Sequence, residues 1–586
     1  MAIVRRGSTI YSRVVGRLPW VVSALVGLAC VVLGLLLVIR PFGSLAVLIV
    51  VLCVGLILNG VAELLKADRP RTAVVASVVW IAAAVLVLVL PGLTIAVLTV
   101  VVGLALVVAG LANGLRALRG NTEQRVADLL LAVSTVILGL LAFTWRDVTV
   151  LVIAALFGVR MIIFGVDQVV AGIRRARGTP VATEHAHRER WQRWLRAGSA
   201  GLALLASVAL LLVSVQLSGT PEPDSFYTAS TTVPNIPGQL LRSEPFTRTI
   251  PAGARAWKIL YTTTITADHP AIASAIVVVP DTSARHPVIA WAHGTTGFGT
   301  GCAPSLLDEP FVAGAMPDFH EALARGWAVV ATDYIGLGTA DAEPYLIGQG
   351  EGRSVLDSVR AAQQLTRAHL MNETVIWGHS QGGHAALWAG GLATTYAPGI
   401  DLVGVAAMAP ASNLPALMSG LSDSAAGGLF GSFALAAYAA AYPDVKVDDY
   451  VRPGARILVQ SMQQRCLTDP STLVSIVTSV VGDKPIWSKN PDTGALAIRA
   501  KQNVPTLPIA APLLIAQGGA DTLVLPKAQA SYVAGRCAVG EKLDYRIYPG
   551  EDHMGVVTGE SPLLGDLLTW TADRFAGDAS PTNCPA

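Results

Sequence analysis

Charge is what this sequence has least of. Asp, Glu, Lys and Arg make up 14% of its 586 residues, where an ordinary soluble domain carries about 25%. The shortage lies almost wholly before residue 220, so the chain is not one uniform globular body. A net charge of +2 gives no basic footprint for a nucleic acid, and no motif suggests one. Cysteine is scarce as well. There are six, with no C-x-x-C pair and no Cys/His cluster, which argues against a zinc site. His185 and His187 share a basic, solvated loop and read as ordinary polar residues. Cys30 and Cys53 fall inside apolar runs, whereas Cys302, Cys466, Cys537 and Cys584 all lie in the second half. Four cysteines allow two disulfides in three pairings. Cys466 with Cys537 is the preferred pair, because both flank a segment that carries a candidate catalytic acid; Cys302 with Cys584 then remains.

What the first half has is apolar runs of about 20 residues, the length of a helix crossing a ~30 Å hydrocarbon layer. Seven spans are predicted, at 18–39, 43–65, 72–90, 93–115, 126–144, 148–171 and 197–217. The first is long, lacks a small-x-small cleavage site and runs straight into further spans, so it reads as a span and not a removed signal. Arg5, Arg6, Arg13 and Arg17 precede span one. Lys66, Arg69 and Arg71 separate spans two and three, and Arg116, Arg119 and Arg125 separate four and five. Seven arginines between Arg174 and Arg196 separate six and seven. The alternate connections, around Pro41, Pro91 and Trp145, are tight. Basic short loops are cytoplasmic, so the N-terminus is predicted inside and everything after residue 217 outside. The clustering of cysteines in the second half agrees.

Three helical hairpins repeat one layout: a tight outer turn, an apolar helix with paired glycines, then a basic tail. The glycines are Gly55 and Gly60, Gly103 and Gly110, Gly158 and Gly165. Small residues let helices approach closely in lipid. On this spacing residues 18–176 resemble the HdeD-like family of small membrane proteins, a resemblance that implies no known chemistry. Arg160 sits mid-span, with Asp128, Asp167 and Glu63 nearer the inner side. Ionisable residues at such depth are expensive, and an internal salt bridge is the expected arrangement.

From about residue 255 short apolar strands alternate with helical stretches. They are expected at 273–280, 287–293, 327–334, 374–378, 402–409, 512–517 and 543–548. Several are apolar throughout, as strands covered on both faces are, and the alternation predicts a mainly parallel sheet. Gly378-His379-Ser380-Gln381-Gly382 follows the strand Thr374–Trp377 and precedes a helical run. G-x-S-x-G in a strand–turn–helix context is a nucleophile elbow. The acid and base should follow in that chain order. Asp521 ends the buried strand and glycine turn that begin at Pro512, and His553 follows the strand ending at Tyr548. Asp552 is the nearest rival acid, but adjacency to His553 is poor geometry for orienting its ring. The loop His293-Gly294-Thr295-Thr296-Gly297 follows another strand, so the backbone N–H groups of Thr295 and Gln381 are the candidate oxyanion donors. His379 and His384 read as local packing or hydrogen-bonding groups, and Asp333 as the cap of the loop after it.

The segments Trp291–Gly297, Cys302–Ser305, Ala331–Gly338 and Trp377–Gly383, with those of Asp521 and His553, resemble the secretory lipase family of α/β-hydrolases over residues 225–576. The resemblance implies hydrolysis of acylglycerols and related esters with no cofactor. The multispan N-terminus departs from it, since family members are typically secreted.

The sequence therefore predicts an α-helical transmembrane bundle followed by an α/β-hydrolase domain. Residues 1–217 form the seven-span domain, with hairpins to about 176, a basic cytoplasmic linker at 177–196 and a last span at 197–217. Residues 218–240 are a tether and 241–586 the hydrolase. A stretch of about 411–511 exceeds a simple connection and is expected to be a helical cap over Ser380. Its helix around 433–442 should line an acyl pocket, with Ala437 facing it. The predicted function is a membrane-tethered extracytoplasmic serine ester hydrolase acting on an ester or lipid substrate, with no cofactor, metal or nucleic acid. The alternatives are an acyltransferase or peptidase on the same residues, or a membrane stress or transport protein with a hydrolase-like binding domain.

Overall fold

A computed structural model describes residues 20–39, 91–118, 122–176, 189–217 and 220–584, apart from 229–232, 267–268, 423 and 482–485, with isolated positions between 53 and 85. The second and third expected spans lie almost wholly outside the described residues, as do Glu63, Gly55, Gly60, His185 and His187. The chain forms two compact units, one made chiefly of Met1–Ser218 and one chiefly of the residues after it.

The first unit contains α1 (Trp20–Ile39), α2 (Pro91–Leu118), α3 (Thr122–Thr144), α4 (Arg146–Ala176) and α5 (Glu189–Leu217). Among the described residues, Arg125–Thr144, Ala155–Arg174 and Gly198–Gln216 are long and apolar enough to cross a membrane. Glycine sets the pairing. A Cβ on Gly27 would lie 2.6 Å from the Gly165 carbonyl oxygen, and one on Gly34 would lie 2.6 Å from that of Gly158. Thus α1 runs antiparallel against α4 with backbones nearly touching. Gly103 against Gly139, and Gly110 against Ala132, join α2 to α3 in the same way. Trp145 Nε1 donates to Ser214 Oγ at 2.6 Å, tying the α3–α4 turn to α5. Among the described residues these glycine contacts join helices other than those linked by a tight outer turn.

Among the described residues the expected internal salt bridge is not made. Arg160, Asp128 and Asp167 are all exposed on their helices, and no ion pair joins them among the described residues. The helical period explains why for Arg160. It lies two residues, about 200°, from Gly158, which faces α1.

The second unit holds nine strands: β1 (Leu240–Pro245), β2 (Ala254–Thr264), β3 (Pro270–Pro280), β4 (His286–Ala292), β5 (Ala328–Ile335), β6 (Leu370–His379), β7 (Asp401–Met408), β8 (Leu513–Gly518) and β9 (Leu543–Tyr548). They lie in the order β1-β2-β3-β5-β4-β6-β7-β8-β9. Every pairing from β5 through β9 is parallel, while β1, β2 and β3 add an antiparallel edge. The seven expected strands are present; β1 and β2 are additional. β2 carries Arg255 and Lys258 in its run, which breaks the continuous apolar signal of a doubly covered strand.

Helices α6 (Gly348–Gln363), α7 (Gln381–Tyr396) and α13 (Pro526–Ala538) cover one face of the sheet, where Val355, Ala386 and Val533 join the apolar core. Helix α14 (Pro562–Ala576) covers the other with Leu567 and Trp570. β5 is buried at every position, as a strand between two helical layers must be. Between β7 and β8 the chain forms α8 (Leu414–Leu421), α9 (Ala425–Ala441), α10 (Arg456–Gln464), α11 (Ser471–Val481) and α12 (Gly494–Gln502).

Candidate active site

β6 ends at His379, α7 begins at Gln381, and Ser380 is the one residue between them. Its φ of 58° and ψ of −117° lie in a strained region for a side chain, of the kind that costs about 1–3 kcal/mol and clusters at functional sites. Two glycines make the turn possible. A Cβ on Gly378 would sit 2.0 Å from the Gly382 carbonyl oxygen, and one on Gly382 would sit 1.9 Å from that of Ala292.

At this turn three residues distant in sequence join. Ser380 Oγ lies 2.9 Å from His553 Nε2, and His553 Nδ1 lies 2.8 Å from Asp521 Oδ2. Asp521 also accepts from the backbone N–H groups of Leu523 at 2.8 Å and Val524 at 2.9 Å and from Gln517 Nε2 at 3.0 Å. Burial alone would raise its carboxyl. The hydrogen bond and charge of His553, with the two amides, outweigh that and hold it below the usual carboxylate range. Asp552 is engaged elsewhere, accepting the N–H groups of Met554 and Gly555 in its own turn.

His379 is buried beside this chain, its Nε2 donating to the His553 carbonyl oxygen at 2.9 Å. Burial, with the nearby His553, pushes its imidazole down to about 3, so it stays neutral. Asp333 does not cap the loop after it. It accepts from Ser274 Oγ at 2.5 Å and from the Ser305 amide at 2.9 Å, pinning the preceding 302–306 loop to β3. Burial raises its carboxyl.

Thr295 and Gln381 line the same cavity as Ser380 and His553. The loop bearing Thr295 is braced on two sides: Thr295 Oγ1 lies 2.9 Å from the Tyr345 hydroxyl, and Thr296 Oγ1 donates to the Cys302 carbonyl oxygen at 2.8 Å. The disulfides differ from the preferred pairing. They are Cys302–Cys466 and Cys537–Cys584, with Cα separations of 5.1 and 5.5 Å. The C-terminal tail returns along β9, where the Asn583 amide donates to the Leu543 carbonyl oxygen at 3.1 Å. That path brings Cys584 to the end of α13. Cys466, in the insertion, instead meets the loop after Gly297. Flanking one segment in sequence is no guide to such a return path.

The cavity encloses about 840 Å³, within the usual size range for a ligand site. The insertion between β7 and β8 lines it with Leu417, Phe430, Ala434 and Leu496. Helix α9 presents Gly427, Phe430, Gly431 and Ala434 to the cavity. Ala437 does not line it and is buried. The face expected to hold acyl chains is therefore displaced from Ala437. Sequence reasoning also missed Tyr345, which lines the cavity beside Thr295, and Glu343 and Glu351, which lie behind Gln381. Their segment carries no recognisable motif, and only acids beside an apolar stretch hint at a buried role.

Comparison with known proteins finds two families along the chain. Residues 316–583 match the secretory lipase family. Residues 25–73, 75–136 and 130–212 match a short repeat of unknown function, DUF308, which extends past 176 to the last helix. Lipase A of Moesziomyces aphidis is 26% identical, over 62% of this chain and 82% of its own length. A probable inactive lipase of Mycobacterium tuberculosis is 27% identical, over 61% of this chain and 83% of its own. The structure of Candida antarctica lipase A superposes with a TM-score of 0.53 at 22% identity, covering 62% of this chain and 88% of that one. That likeness shows an α/β-hydrolase fold.

Proposed function

We propose that this carboxylic ester hydrolase, whose C-terminal half carries a secretory lipase domain, cleaves acyl esters through a covalent acyl-enzyme on Ser380 while tethered to a membrane. The observation that carries the reading is the hydrogen-bonded chain Ser380–His553–Asp521, opening into an apolar-lined cavity. His553 Nε2 takes the Ser380 proton as the oxygen attacks the ester carbonyl, then returns it to the departing alcohol. Asp521 holds the ring with Nδ1–H pointed at itself and stabilises the imidazolium that forms. The N–H groups of Thr295 and Gln381 receive the developing oxyanion, an effect for which each donor is worth about 10²–10³ in rate. Water then repeats the sequence on the acyl-enzyme. The cavity favours a substrate with a substantial acyl chain.

The tether is the finer part of the proposal. Helices α3, α4 and α5 contain stretches apolar enough to span, and the arginine-rich connections support an N-terminus inside. Two disulfides in the second unit suit an oxidising compartment. Alkaline phosphatase fused after residue 225 should be active and the same fusion within 177–190 silent; the opposite pattern overturns the orientation. A chain-length series of nitrophenyl esters and triacylglycerols on the full protein tests the activity. If Ser380→Ala hydrolyses them as wild type does, the catalytic reading fails and a binding role is left.

A further inference from the structure

Behind the nucleophile lies a cluster of buried ionisable groups that the proton relay does not use. Gln381 Nε2 donates to Glu351 Oε1 at 2.9 Å and to Glu343 Oε1 at 3.2 Å. Glu351 Oε1 also accepts the Leu346 amide at 2.8 Å. Its Oε2 lies 2.7 Å from His384 Nδ1, and His384 Nε2 lies 2.8 Å from the Asn503 carbonyl oxygen. A carbonyl only accepts, so Nε2 carries a proton. The other ring nitrogen, Nδ1, faces the Glu351 carboxyl, and both side chains of the pair are fully buried. Glu343 completes the set: burial raises its carboxyl well above the usual range, and the neighbouring Glu351 adds to the effect.

Both oxyanion-donor residues end at this hub. Gln381 reaches Glu351 directly. Thr295 reaches it through the Tyr345 hydroxyl and the next residue, Leu346, whose amide sits on Glu351. Leu346 has φ of 55°, a left-handed conformation that a leucine holds only when its surroundings enforce it. Glu351 supplies one of the bonds that do so, and Tyr438, donating to the Leu346 carbonyl oxygen at 2.9 Å, supplies another. A buried pair of this kind is a weak device for stability and a better one for fixing geometry.

We propose that Glu351 is a positioning residue for the oxyanion hole: it fixes Gln381 directly and Thr295 through Leu346 and Tyr345, so that both amides converge on one point beside Ser380. The inference rests on the roles given above to Ser380, Thr295 and Gln381.

Glu351→Gln keeps the shape and removes the carboxyl; Tyr345→Phe cuts the second arm without touching the Glu351–His384 pair. On the full chain, kcat and KM are measured with a nitrophenyl ester. Inhibition is measured with a trifluoromethyl ketone of the same chain, whose adduct with Ser380 needs the oxyanion hole, and with the matching methyl ketone, which only fills the cavity. Misplacement of this kind should lower kcat about 10–100-fold in Glu351→Gln and about 3–10-fold in Tyr345→Phe, with KM and methyl ketone binding unchanged. Trifluoromethyl ketone affinity should fall in step with kcat. Unchanged kcat, or lost kcat with trifluoromethyl ketone affinity retained, overturns the proposal. If Glu351→Gln does not fold, Tyr345→Phe decides by the same two readouts. If wild type is not labelled at Ser380 by a fluorophosphonate, it is the underlying catalytic reading that fails.

Discussion

The two halves of this chain turn their apolar residues in opposite directions. In α5, Leu202 and Leu205 are 72% and 71% exposed, while the small residue Ala200 is fully buried. In β5, every residue from Ala328 to Ile335 is buried. One half packs small residues inward and turns leucine and valine outward, as association in lipid requires. The other hides large side chains between helical layers, as burial away from water requires. Apolar composition alone therefore says little; which side chains are covered is what separates the two halves. The active-site groups assembled so far all lie in the second kind of interior, where fixed hydrogen bonds can be held without competition from water.

The sharpest contrast comes from chemistry. His553→Ala should lower ester hydrolysis by about 10⁴ or more while leaving the thermal transition of the hydrolase unit in place. Asp521→Asn should come close to it, because the ring then loses its fixed tautomer. Steady-state kinetics and calorimetry on the same preparations check both, and a residual rate near wild type would remove the distinction between the halves.

Packing separates the halves differently. Gly158→Leu places a side chain where the Gly34 carbonyl oxygen is 2.7 Å from the glycine's ideal Cβ. It should destabilise the helical unit by about 1–3 kcal/mol, the usual range for overpacking. Activity of the hydrolase on a soluble short-chain ester should remain. A thermal series in detergent, followed by helical circular dichroism and by activity, tests this; joint loss of both would show that the units are coupled.

Within the second half, Ala434→Trp should fill part of the cavity. The preference should move toward short esters, with kcat/KM for long chains down about 10–100-fold, in line with the loss of one to a few buried methylene contacts. Ala437→Trp should act through stability instead, since Ala437 does not line the cavity. An unchanged chain-length profile in Ala434→Trp would mean that α9 holds no acyl group.

The smallest effect concerns acid. His379 and His293 are buried with imidazoles pushed down to about 3 and about 4, whereas unfolded imidazoles titrate near 6.5. Below that value the unfolded chain binds more protons, so stability falls as pH drops, by up to about 1.4 kcal/mol per pH unit for each ring. His379→Gln should flatten this acid limb, measured as thermal midpoint from pH 8 to 5. Equal slopes would contradict the buried, neutral assignment.

The hydrolase fold was the more legible half, because G-x-S-x-G between an apolar strand and a helix carries its own geometry. That motif pointed to Ser380, and strand ends pointed to Asp521 and His553, which the fold brings within hydrogen-bonding distance. Local patterns could not reach contacts made by return paths. The pairing of Cys537 with Cys584 depends on the tail lying along β9, and the link from Thr295 to Glu351 passes through Tyr345 on a distant segment. β2 was missed because Arg255 and Lys258 interrupt its apolar run. In the helical half, glycine spacing marked the close-packing faces of α2 and α4 but not their partners, since a seven-residue glycine interval fits any antiparallel neighbour.

Mapping a fluorophosphonate adduct on the full chain by mass spectrometry tests the central claim most directly. The account predicts one adduct, on Ser380, absent from Ser380→Ala while that variant melts as wild type does. An adduct on another residue, or wild-type hydrolysis by Ser380→Ala, would contradict it.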